Sequence, residues 1–127
     1  MWRNKYGLTL IELLTVIIII GALAVIALPK FVNTRERTYL AAMKSDLRNL
    51  ATAEENYFSK YLMYTTSTSD IDANISTNVN VYIPNADEQG WRATATHDAA
   101  PGKVCEIYYG SSVSGMTATL EGLVECN

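Results

Sequence analysis

The feature that most restricts this chain is an unbroken apolar run, LTLIELLTVIIIIGALAVIAL, from Leu8 to Leu28. As a helix rising 1.5 Å per residue it spans roughly 31 Å, the thickness of a bilayer's hydrocarbon core. Arg3 and Lys5 precede it and a much longer polar body follows. That asymmetry predicts a cytoplasmic N-terminus and an extracytoplasmic body. A secretory signal carries small residues at a cleavage site after its apolar core. Leu28-Pro29-Lys30-Phe31 has none, so the run is expected to be retained.

One side chain conflicts with a lipid environment. Glu12 sits inside the run, where a carboxylate is costly and marks a functional position by default. It needs a partner, yet no Lys or Arg occurs between Lys5 and Lys30.

Gly7-Leu8-Thr9-Leu10-Ile11-Glu12-Leu13-Leu14 resembles the cleavage motif of type IV prepilins and pseudopilins. Counted from Leu8, Glu12 is the fifth residue and Pro29 the twenty-second, which are the family's positions for a glutamate and a proline. Leu8 stands where the family usually has phenylalanine. The resemblance implies a leader, residues 1–7, removed by a prepilin peptidase that cuts after Gly7 and methylates the new amine of Leu8. It also implies a transmembrane and filament-core helix over 8–29, in which Glu12 pairs with the N-terminal ammonium of a neighbouring subunit. Gly21 and Pro29 are the weak points of that helix, where a kink is expected.

From Lys30 to about Leu62 the pattern turns amphipathic. Phe31, Tyr39, Met43, Leu47, Leu50, Tyr57, Phe58 and Tyr61 recur at helical spacing, while Arg35, Glu36, Arg37, Lys44, Asp46, Arg48, Glu54 and Glu55 are assigned to the other faces. Ser45-Asp46-Leu47-Arg48-Asn49-Leu50 resembles the matching helix of type IVa-like pilins. A Ser/Thr/Asn/Asp-rich loop at about 63–78 follows, and within it Asp72-Ala73-Asn74-Ile75-Ser76 resembles an extended bacterial glycosylation sequon on Asn74. Four β-like runs come next: Val79–Ile83, Trp91–His97, Lys103–Tyr109 and Thr117–Glu125, the middle two as a hairpin. Pro84-Asn85-Ala86-Asp87 reads as a turn, and most aromatics are expected in the core. The fold expected is α+β: a long N-terminal helix on a small antiparallel sheet, with the head over 30–127.

Cys105 and Cys126 allow a disulfide, free thiols or metal ligation; extracytoplasmic topology favours the disulfide, and the resemblance agrees because many pilins staple their C-terminal region. With one histidine the usual zinc sets cannot be completed without carboxylates, so no metal or cofactor is expected. His97-Asp98 has no accompanying nucleophile motif, and His97 reads as a turn residue at a strand end; no enzyme is expected. Eight basic against twelve acidic residues after Pro29 oppose phosphate binding, so no nucleic acid is expected as partner.

The resemblance therefore implies a structural subunit of a type IV pilus. Its partners would be copies of itself in a helical filament, the prepilin peptidase, the pilus assembly machinery and the inner membrane before assembly. It would move from the cytoplasmic membrane to an extracellular filament. The alternatives are a pseudopilin of a type II secretion system and a membrane-tethered extracytoplasmic binding domain. The C-terminal cysteine pair and the Ser/Thr-rich loop favour the pilus.

Overall fold

The computed structural model describes residues 7–111 and 118–127. The expected leader, apart from Gly7, and the first residue of the expected fourth strand, Thr117, lie outside the described residues. The chain divides into two compact units, one up to Arg35 and one from Glu36 to Asn127.

Among the described residues one helix, α1, runs from Leu10 to Tyr61 and includes Gly21 and Pro29. In the first unit every residue from Gly7 to Arg35 is exposed. In the second, Met43, Leu47, Leu50 and Ala53 fall on one face at spacings of four and three, and are buried. Burying each of the larger ones contributes about 1.5–3 kcal/mol. They share a core with Val79, Ile83, Trp91, Ala93, Ala95 and Ile107 of the sheet. The amphipathic stripe is narrower than its sequence suggested: Phe31 and Tyr61 are exposed. Most aromatics are also not core. Among the described residues Trp91 is the one buried Phe, Tyr or Trp, with Tyr57, Tyr64 and Tyr109 partly buried against the core.

Leu62 ends the helix in the left-handed region, with φ 56°, a position usually given to glycine, and its N–H donates to the Phe58 carbonyl at 2.8 Å.

The strands β1 (Val79–Ala86), β2 (Gly90–His97), β3 (Val104–Gly110) and β4 (Glu125–Cys126) form one antiparallel meander in the order β1-β2-β3-β4. β2 alternates strictly through its middle: Trp91, Ala93 and Ala95 point to the core, Arg92 and Thr94 away. The expected turn at Pro84–Asp87 begins later than predicted. Proline lacks a donor, but β1 is an edge strand, so it continues past Pro84 with a register shift between Tyr82 and Asn85. The reversal is made by Asp87, whose Oδ1 accepts the N–H groups of Gln89 at 2.7 Å and Gly90 at 3.0 Å.

Gly90 and Gly110 face each other across β2 and β3. A Cβ on Gly90 would collide with the Tyr109 carbonyl, and one on Gly110, at φ 79°, with that of Gln89.

The expected fourth strand, Thr117–Glu125, is largely wrong. Strand occurs only at Glu125–Cys126, because Gly122 turns at φ 72° and the segment folds back along β3. Gly122 N–H donates to the Tyr108 carbonyl at 2.9 Å, and Thr119 donates to Glu125 through both its N–H and hydroxyl.

Candidate functional site: the start of the apolar helix

α1 begins where its first residues cap themselves. Thr9 precedes the first helical residue, and its Oγ1 accepts the Glu12 N–H at 3.3 Å. In return Glu12 Oε2 accepts the Thr9 N–H and hydroxyl, each at 2.8 Å. This is a capping box, which satisfies backbone donors that the first turn would leave orphaned. Leu13 N–H closes the first turn on the Thr9 carbonyl at 3.2 Å. The sequence reading left Glu12 without a partner inside its own chain; the partner is Thr9. Thr9-Leu10-Ile11-Glu12 ahead of an apolar run is the sequence signature of such a box.

Gly7 sits at the head of this box, and a Cβ placed on it meets nothing within 4 Å. Its φ is not in the left-handed region, so neither packing nor backbone conformation among the described residues requires glycine there. The same holds for Gly21. Leu8 is 77% exposed. The apolar surface that follows, through Leu28 and on to Val32, is exposed among the described residues, and α1 is long and apolar enough to cross a membrane. An uncovered apolar surface of that extent calls for lipid or for other proteins.

The remaining predicted residues lie in the second unit. Cys105 and Cys126 are disulfide-bonded, and they are also direct partners in the β3–β4 ladder. Asn74 is exposed, while the Ser76 of its sequon is held by its N–H and hydroxyl on the two Asp46 oxygens, at 2.8 and 2.9 Å. His97 closes β2 as expected of a strand end, yet it is buried. Its ring stacks on Tyr39 at 4.3 Å, and Nδ1 accepts the Ala99 N–H at 3.0 Å.

Two acids assigned to the outer faces of the helix are misplaced by that reading. Asp46 and Glu54 are buried. They face inward because the loop at 62–78 has no ladder of its own and brings amide donors to the helix. Asp46 takes Ser76, Glu54 Oε2 takes the Thr65 N–H at 3.1 Å, and the neighbouring Glu55 takes the Tyr64 hydroxyl at 3.0 Å. Burial pushes the Glu54 carboxyl up to about 7, against the pull of the Thr65 N–H. Burial, then the bond to Glu55, pushes the Tyr64 hydroxyl up to about 12.

A long apolar helix capped at its exposed start and laid, farther along, on a four-stranded antiparallel meander is an α+β, pilin-like fold. Residues 2–28 match the prokaryotic N-terminal methylation motif. Over 69 residues the chain is 41% identical to the type IV major pilin protein PilA of Myxococcus xanthus (strain DK1622). That alignment covers 54% of this chain and 31% of the relative, so the chain matches about a third of that protein's length. Both comparisons support the resemblance to type IV pilins carried by Gly7 to Leu14.

Proposed function

We propose that this chain is a structural subunit of a type IV pilus: a prepilin cut between Gly7 and Leu8, methylated on the Leu8 amine and polymerised through its N-terminal helix. One observation carries the reading most. The chain leaves its apolar helix wholly exposed, with a carboxylate fixed on the first turn, five residues into the mature chain. In a membrane that surface is covered by lipid. In a filament it is covered by the same helices of other copies, with Gly21 and Pro29 as the points where the helix adapts.

Gly7 fits this reading. Among the described residues neither packing nor backbone conformation asks for glycine there, and the resemblance places the peptidase's cut directly after it. Cleavage leaves an α-ammonium on Leu8, a group whose ordinary pKa near 7.7–8 keeps much of it charged at neutral pH. Glu12 of an adjoining copy supplies the counter-charge, and the capping box holds that carboxylate in place beforehand at no further ordering cost. Pairing also fixes the axial register between copies. The head, closed by the Cys105–Cys126 bridge, remains on the extracytoplasmic side and becomes the filament's outer layer.

Electron microscopy of material sheared from the cell surface, with peptide mass mapping of the filaments, tests the proposal. Filaments composed mainly of this chain are expected. Recovery of the chain in membrane fractions alone, with surface filaments of other composition, would contradict it.

A further inference from the structure

Glu54 is a fully buried carboxylate on a helix face that otherwise carries Met43, Leu47 and Leu50. Its Oε2 accepts the Thr65 N–H, and its Oε1 has no hydrogen-bond partner among the described residues. Trp91 Nε1, buried and likewise without a partner, lies under the same corner of the loop: the Trp91 ring is 6.5 Å from that of Tyr64. A half-satisfied carboxylate in such a place is tolerable when neutral and costly when charged.

Among the described residues no cation offsets its charge. On the helix the neighbouring charge is Glu55, which has the same sign and acts against ionisation. The loop contributes Tyr64, bonded to Glu55, and β3 contributes Tyr109, whose ring stacks with Trp91 at 5.7 Å. β2 presents Trp91 to this side, while Arg92 lies on the opposite face of the strand. β1 presents Val79, Val81 and Ile83.

We propose that Glu54 is a pH-sensitive latch: protonated, it holds the loop segment around Tyr64 and Thr65 against the helix, and on ionisation it releases that segment. Lifting the segment admits water to the carboxyl and returns it to its ordinary acidity, so seating of the loop and proton binding are linked. The seated form prefers the protonated acid. Its advantage is therefore complete below about pH 4.5 and is lost as pH rises through about 7. Asp46, with both oxygens engaged by Ser76, keeps the far end of the loop attached throughout. The opening is local. It does not depend on whether the chain polymerises.

Hydrogen exchange of the full chain in detergent micelles, followed for peptides covering 62–68 and corrected for the intrinsic pH dependence of amide exchange, reads the latch directly. Between pH 5 and 8.5 the opening equilibrium should rise on the order of 50- to 100-fold. Glu54→Gln, which keeps an acceptor for Thr65 but cannot ionise, should give a flat profile at the low-pH level. Glu55→Gln should retain the rise. A flat profile in the unaltered chain overturns the proposal whether or not the variant folds. So does a rise that survives Glu54→Gln, or one that Glu55→Gln abolishes.

Discussion

Removing the Cys105–Cys126 bridge should lower the stability of the head by a predictable amount. The two cysteines are 21 residues apart, and closing a loop of that length contributes roughly 3 kcal/mol in the chain-entropy relation. The β4 ladder itself adds little to the register of the C-terminus. β4 is two residues long, and beyond the bridge its ladder has one further pair, Glu106 with Glu125. Asn127 adds two bonds to Val104, at 2.9 and 3.1 Å, both at an exposed end. The variant should be Cys105→Ala with Cys126→Ala, because Cys105 is fully buried and serine would place an unpaired hydroxyl there. For a unit of this size a loss of roughly 3 kcal/mol lowers the melting temperature by about 10–20 °C. Thermal unfolding of the full chain in micelles, with and without reductant, measures it. Membrane insertion should be unchanged, since the apolar run contains neither cysteine. A melting temperature within a degree or two of the oxidised chain, with faster exchange confined to 118–127, would show that the bridge tethers only a frayed end and does not stabilise the head.

Glu12→Gln and Glu12→Ala separate the two roles of that residue: glutamine can still close the capping box with Thr9 but carries no charge, whereas alanine removes both. Both variants should accumulate normally in membranes and fail to form filaments; filaments from Glu12→Gln alone would mean that capping, not charge pairing, is what assembly needs. Asp46→Ala should destabilise the head by about 1–3 kcal/mol, the cost of leaving the Ser76 N–H and hydroxyl without their acceptor, read as a shift in the denaturant midpoint.

The sequence was most informative where periodicity and chemistry agreed. The apolar run, the stripe through Met43, Leu47 and Leu50, and the alternation from Trp91 to Ala95 each predict their element and its inward face, and the structure has them. It was least informative where tertiary contacts decided. Asp46 and Glu54 read as surface acids, because burial of a carboxylate depends on amide donors that arrive from residues 76 and 65, far along the chain. The run before Cys126 looked like a strand by composition, but Glu121 and Glu125 accept bonds that fold the backbone, and Gly122 turns it. His97 is buried because Tyr39 comes to it from the helix, a pairing invisible in either local segment. The capping box is legible in Thr9 and Glu12, three residues apart ahead of the apolar run.

The intact mass of the protein recovered from surface filaments tests the central proposal most directly. The expected mass is that of a chain that begins at Leu8, has Cys105 and Cys126 oxidised, and is heavier by a single methyl group located on the N-terminal amine. A chain that begins at Met1, or at any residue beyond Leu28, would contradict it.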